Sequence, residues 1–226
     1  MATTLHDHAI TDALSDATAH LDPRLVVGIM GGHALLRTDQ AYRAAAELSS
    51  ALTLAGRTVL TGGGPGAMEA GNLGAYLSTW PDALHEALAI LGPVPTYRPD
   101  IDAWAATAYA VRKRWPAAAA GASLAIPTWF YGHEPTNLFA TGIAKYFANA
   151  LREDSLLHRC HGGNRLSART SRHGAGDLPG GDRELLRRRH HPGRSDDPDR
   201  SRLLDQGAPG LAAAAPGLEP AARWAR

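Results

Sequence analysis

Hydrophobic and polar positions change period several times over the first 157 residues, and each change predicts an element. Residues 1–22 are polar and read as a mobile N-terminal arm or a short helix. Leu25-Val26-Val27-Gly28-Ile29-Met30 is an unbroken apolar run, a buried strand closed by Gly31-Gly32. From Asp39 to Leu54 the apolar residues return at helical spacing, with Ala41, Ala44, Ala45, Leu48 and Leu52 on one side. Asp39 stands as the N-cap and Gly56 as the stop. Arg57 to Thr61 predicts a second strand and Gly66 to Tyr76 a second helix. Residues 78–102, with Pro81, Pro93, Pro95 and Pro99, read as an irregular surface excursion. An Ala-rich helix follows over Ile101 to Ala120, then a strand over Ser123 to Pro127 and an aromatic loop over Thr128 to Pro135. Thr136 to Asp154 predicts an amphipathic helix anchored by Leu138, Ile143, Phe147 and Leu151. Strands alternating with helices at this spacing predict an α/β fold, a Rossmann-like parallel sheet with flanking helices.

Past Leu157 the character changes. Residues 158–226 contain no Ile, Val, Phe, Tyr, Met or Lys. A buried parallel sheet needs β-branched strands, so the C-terminal strands of the fold are expected to be lost and the segment reads as a disordered tail. The division is then an arm over 1–22, an incomplete Rossmann-like domain over 23–157, and a tail over 158–226. Arg/Gly/Pro/Ala-rich, Lys-free protein is what a GC-rich gene yields out of frame. Moving the frame forward by one nucleotide from His158 permits the translation TDATAAIVYLPGHPGTVQEIFQAVTENYY, which continues directly from Leu157. It reads as a helix end, a buried strand, a glycine loop and a helix start, so the tail is read as an out-of-frame translation.

Charge and cysteine usage narrow the classes. The formal net charge is only +1, yet residues 1–157 carry a net −4 and residues 158–226 a net +5. Bulk charge therefore does not favour nucleic acid; only the basic tail could act as a nucleic-acid arm. The single cysteine, Cys160, excludes an internal disulfide framework and fits a reducing cytoplasm. Met1 to His20 lacks the apolar centre of a signal peptide. No stretch approaches the roughly 18 apolar residues of a membrane span, and a cytoplasmic protein is expected.

The chemistry concentrates in Thr61-Gly62-Gly63-Gly64-Pro65-Gly66-Ala67-Met68-Glu69-Ala70, which leads from the second strand into the second helix. Glycines let the backbone turn sharply and approach a ligand, and the first helical turn offers N–H groups and a positive dipole end to an anion. Gly62, Gly63, Gly64, Gly66 and Met68 are therefore candidate nucleotide or phosphate contacts, joined by Gly31 and Gly32 after the first strand, where ligands of parallel sheets gather. Met68 also suits a core contact, and Glu69 an exposed first-turn acid. His133-Glu134 reads as loop packing with an option on the pocket, and Arg112-Lys113-Arg114 as a solvated helix face. His158, Cys160 and His161 do not amount to a metal site, so no metal is expected. No G-x-G-x-x-G follows the first strand, which disfavours a dinucleotide oxidoreductase.

The glycine run, with Asn72 and Gly74-Ala75 behind it, resembles the first motif of the lonely-guy family, Rossmann-like proteins often labelled possible lysine decarboxylases. The resemblance covers about residues 24–157. It implies hydrolysis of the N-glycosidic bond of nucleoside 5′-monophosphates, releasing a free base (a cytokinin in plant-type enzymes) and ribose 5-phosphate. It also implies a homodimer; no cofactor is expected, and the lack of a long apolar stretch speaks against a membrane partner. The family's second motif, PGG-x-GT-x-x-E, carries a catalytic glutamate, and a basic residue on the preceding helix assists; Arg152 stands at that distance. The shifted frame supplies PGHPGTVQE at the slots from Ala168 to Gly176, where this chain has Ala-Arg-Thr-Ser-Arg-His-Gly-Ala-Gly. The resemblance thus implies a nucleotide-binding protein that has lost its activity. The alternative is a non-catalytic nucleotide sensor of the same superfamily. Leu178-Pro179-Gly180-Gly181 is read as a coincidental fragment, and nothing marks a pyridoxal-phosphate site.

Overall fold

The protein is described by a computed structural model over residues 1–130 and 134–166. Among the described residues, five strands, β1 (Val26–Met30), β2 (Thr58–Thr61), β3 (Ser123–Ala125), β4 (Gly142–Ile143) and β5 (Asn164–Leu166), form one sheet in the order β4-β3-β2-β1-β5. Every pairing is parallel. The fold is α/β and Rossmann-like. Its chain builds outward from β1 to β4, then returns to place β5 on the other side of β1.

Helices cover both faces, and the strand sequences dictate which side chain meets which layer. Alternate residues of a strand point to opposite faces. Ile29 and Val59 pack with Ala75 and Leu52 of α3 (Ala67–Leu77) and α2 (Gln40–Leu54). Val26 and Leu60 pack on the other face with Leu14 of α1 (Ala2–Thr18) and Leu156 and Cys160 at the end of α6 (Asn149–Arg159). Burial pushes the Cys160 thiol up to about 11, so it sits in the core as an inert apolar group.

The fully buried residues of α2 are Tyr42, Ala46 and Ser49; of the side expected from spacing, Ala41, Ala45 and Leu52 are half-buried against the core, while Ala44 and Leu48 are exposed. Close approach to α3 decides this. Gly74 lies so near the Ala46 carbonyl that a Cβ there would overlap it, which seats α2 on α3 at Ala46. Residues 78–102 are not a plain excursion, because α4 (Ala83–Leu91) buries Ala83, Ala87, Leu88 and Leu91 in a cluster with α3 and α5. The Ala-rich helix, α5 (Ile101–Arg114), is capped by the Asp100 carboxylate on the Ala103 amide and ends before Pro116. Arg112 and Arg114 in its last turn are not merely solvated: Arg112 donates to the Leu138 carbonyl and Arg114 pairs with Glu86.

The amphipathic helix expected over 136–154 is replaced by a loop, the edge strand β4 and then α6. The buried anchors are Phe139 and Tyr146, while Ile143, Phe147 and Leu151 are exposed. Backbone pairing of Gly142 and Ile143 with Leu124 and Ala125 wins over helical spacing. The sheet also extends past Leu157, contrary to the expectation that no strand can form there. The Gly162 amide donates to the Val26 carbonyl at 2.9 Å, and a Cβ at Gly162 would sit 2.6 Å from that oxygen. A glycine after α6 thus admits the chain to the edge of β1, and ladder hydrogen bonds need no β-branched side chain. β5 occupies the slots where the shifted frame reads Ile-Val-Tyr. The remainder of the expected tail, 167–226, lies outside the described residues.

The polar N-terminal segment is the helix α1, and its anchor is Asp7, which is 2 % exposed. Its carboxylate accepts the Phe147 and Ala148 amides, both at 2.8 Å. Burial alone would raise its pKa, but these bonds and His6 hold it below the usual carboxylate range. A depressed folded pKa contributes stability that is complete above the unfolded value and is lost as pH falls through the folded one. The stability gap between wild type and Asp7→Asn in urea should therefore shrink on acidification below the ordinary carboxylate range. A gap that widens with acid would contradict this account.

Among the described residues, no helix is long and apolar enough to cross a membrane.

Candidate functional site

A cleft of about 450 Å³ opens at the carboxyl ends of β1, β2 and β3. In parallel sheets the loops there converge while helix N-termini point toward them. Met30 and Gly31 line it from β1, Gly62, Gly63, Gly64 and Met68 from β2 and α3, and Pro127 and Thr128 from β3. Glu134 and Thr136 form one rim, and Arg152, Glu153 and Leu157 of α6 the other.

The glycine loop is shaped by what approaches it. Gly66, the N-cap of α3, has φ 71° and ψ −127°, a region closed to L side chains. A Cβ there would also collide with the Gly32 carbonyl and the backbone of His33. The loop after β1 therefore lies directly on the loop after β2, and the Ala67 amide donates to the Gly32 carbonyl at 3.3 Å. Gly32 thus supports the loop from behind, whereas Gly31 lines the cleft. Gly62 is bare for a different reason: a side chain there would overlap the Arg152 guanidinium and the Met68 sulfur. Met68 folds back over Gly62 and Gly64 and forms part of the cleft wall.

A buried polar network locks this loop. The Thr61 hydroxyl donates to Asn72 Oδ1 at 2.7 Å and accepts the Gly63 amide at 3.0 Å. Asn72 Nδ2 donates to the Ser123 hydroxyl at 3.0 Å. Asn137 Nδ2 donates to Asn72 Oδ1 at 3.0 Å and to the Gly64 carbonyl at 3.1 Å, while the Asn137 amide donates to the Gly63 carbonyl at 2.8 Å. All four side chains are buried. A network whose members satisfy one another in low dielectric rigidifies its surroundings. Asn137 was missed by the sequence reading because it lies in the stretch expected to be helical. A single buried asparagine, whose local bond is only to the Phe139 amide at 3.1 Å, leaves no periodic signal.

Arg152 reaches the site from α6. Its Nε donates to the Ile126 carbonyl at 2.8 Å and its Nη2 to the Gly62 carbonyl at 3.2 Å. The guanidinium is thereby laid across the ends of β2 and β3, beside the glycine loop. Glu134 Oε1 lies 3.4 Å from His33 Nδ1 across the mouth of the cleft, and Glu153 Oε1 accepts from Asn149 Nδ2 at 2.8 Å. His133 lies outside the described residues.

Glu69 is not the exposed acid expected from its place in the first turn of α3. It is 1 % exposed and paired with Arg37, Nη2 to Oε1 at 2.6 Å and Nε to Oε2 at 3.1 Å. Burial raises its carboxyl and the Arg37 bonds oppose that rise. The pairing matters to the cleft, because an unpaired carboxylate in the first turn would cancel the positive end of the helix.

Chemically, the arrangement offers an anion a rigid glycine loop, a helix N-terminus and a fixed cation. Gly31, Gly62, Gly63, Gly64, Met68 and Arg152 line one cleft; Gly32 and Gly66 hold its loops together. Among the described residues, no group of His, Cys, Asp or Glu could hold a metal ion. The slots of the second glycine motif, Ala168 to Gly176, lie outside the described residues. No family model and no curated protein matches this chain.

Proposed function

We propose that the cleft binds a nucleoside 5′-monophosphate, with the phosphate on the Gly62–Met68 loop and the N-terminus of α3. One observation carries this reading: Arg152, remote in sequence, is brought onto the glycine loop and held there by the Ile126 and Gly62 carbonyls. A guanidinium fixed beside a helix N-terminus is a phosphate-binding combination. The ribose and base would then extend over Met68 and Thr128 toward Glu134.

The lonely-guy resemblance suggests what the intact parent does with such a ligand. Cleaving the N-glycosidic bond builds positive charge on the ribose, and a carboxylate near the sugar stabilises it and activates water. The phosphate serves as a remote handle whose binding positions the sugar. This chain has Ala168 to Gly176 where the family motif would bring its glutamate, so the proposal is binding with lost turnover. The same substitution favours the second reading, a nucleotide sensor, and product release separates them. The parent frame should liberate free base from a nucleoside monophosphate, whereas a sensor returns the ligand unchanged in either frame.

The test is titration calorimetry with the four common nucleoside 5′-monophosphates and their unphosphorylated nucleosides. Binding should require the phosphate, and Arg152→Ala should weaken it about tenfold or more, the scale of one charge-assisted hydrogen bond of roughly 1.5–3 kcal/mol. Nucleosides binding as tightly as their monophosphates would refute the reading.

A further inference from the structure

The helix that carries Arg152 has no N-cap of its own. Position Ala148, just ahead of α6, supplies no side-chain acceptor, and alanine is among the poorest N-cap residues. The first amides of a helix need partners. The entry to α6 is held instead from the other end of the chain: Asp7 of α1 accepts the Phe147 amide on Oδ1 and the amide of the N-cap residue Ala148 on Oδ2. A carboxylate at this end also complements the helix dipole.

We propose that Asp7 is a positioning residue for the cleft, an imported anchor at the entry to α6 through which α1 holds the Arg152 guanidinium on the glycine loop. The connection is short. Asp7 fixes Ala148; the Ala148 carbonyl accepts the Arg152 amide at 3.2 Å, the first turn of α6; and the Arg152 side chain then reaches Ile126 and Gly62. Loss of the anchor frays a helix first at this turn. Further contacts set the rotation of α6 against α1. The Thr11 and Tyr146 hydroxyls lie 3.3 Å apart, the Tyr146 hydroxyl is 3.4 Å from that of Ser155, and Arg159 donates to Ser15 and Thr18. The arm at the start of the sequence thus belongs to the site without touching the cleft. The inference rests on the reading of Arg152 as the phosphate cation, but its structural half does not require a ligand.

The experiment uses the full chain with Asp7→Ala and Asp7→Asn, the latter keeping one acceptor oxygen. Hydrogen exchange by NMR is read at the Phe147 and Ala148 amides and at the Arg152 Nε–H, which Arg152→Lys assigns by its disappearance. In Asp7→Ala all three should exchange at least tenfold faster, while the Gly63 amide, held by Thr61, keeps its protection; Asp7→Asn should fall between. Should Asp7→Ala fail to fold, Asp7→Asn carries the same comparison. Faster exchange at 147 and 148 with an unchanged Arg152 Nε–H would overturn the proposal, since the anchor would then be structural only. The second readout is affinity for 5′-AMP. Asp7→Ala should weaken it about fivefold, and Asp7→Ala with Arg152→Ala should bind no more weakly than Arg152→Ala alone. Additive losses would overturn the coupling. If the wild type binds none of the four common nucleoside 5′-monophosphates, the nucleotide reading fails while the Arg152 exchange result still decides the role of Asp7.

Discussion

Arg37→Ala is expected to lower the unfolding free energy by about 3–5 kcal/mol, the cost of leaving one partner of a buried ion pair uncompensated. Arg37 is 3 % exposed, and all three nitrogens of its guanidinium donate hydrogen bonds. It grips Glu69 through two bonds and donates to the Val94 and Trp104 carbonyls and the Thr107 hydroxyl, with the Trp104 ring 4.5 Å beneath it. The residue therefore joins the loop before α2, the first turn of α3 and the middle of α5. Its removal strands the Glu69 carboxylate in the core, where burial already pushes its pKa up. Changing both partners to apolar residues, Arg37→Met with Glu69→Leu, should recover much of the loss, because the pair itself stabilises little once desolvation is counted. Urea midpoints of the single and double variants check this. A single-variant loss below about 1 kcal/mol would mean that water reaches the pair, contrary to its burial.

The second large effect is expected at Gly66. Gly66→Ala forces a Cβ into the Gly32 carbonyl and into a φ/ψ region that L residues avoid. Backbone strain of this kind costs of the order of 1–3 kcal/mol, and the collision adds to it. Relief requires the two loops to part, which moves the start of α3 away from the glycine loop. Affinity for 5′-AMP should therefore fall by about a hundredfold or more, beyond what the stability loss explains. Gly32→Ala is the control, since nothing lies within 4 Å of a Cβ at that position; it should bind nearly as wild type does. Equal losses from both substitutions would show that the cleft needs flexible loops rather than close contact between them.

These two sites divide differently between what residues announce and what packing imposes. The glycine run was legible because its signal is local: a strand, a turn that only glycine tolerates, and a helix start within about a dozen residues. β1, β2, α2 and α3 were legible for the same reason, each lying within a residue or two of its expected bounds. The stretch over 136–154 was misread because Leu138, Ile143, Phe147 and Leu151 mimic helical spacing, whereas the neighbouring β3 edge pairs with Gly142 and Ile143. α4 was hidden by the prolines around it, and β5 by a composition that lacks Ile and Val.

Glu69 shows the limit most plainly. A carboxylate in the first turn of a helix suits solvent and the dipole equally well whether or not an arginine 32 residues earlier closes over it. The same holds for Asp7, whose partners lie 140 and 141 residues away, and for Asn137. Backbone conformation follows from interactions within a few residues, so the local order of strands, turns and helices could be read from the chain. Burial of a charge, import of a helix anchor and convergence of Arg152 on Gly62 depend on which distant surfaces pack together, and only the folded arrangement of α1, α6 and the sheet settled them.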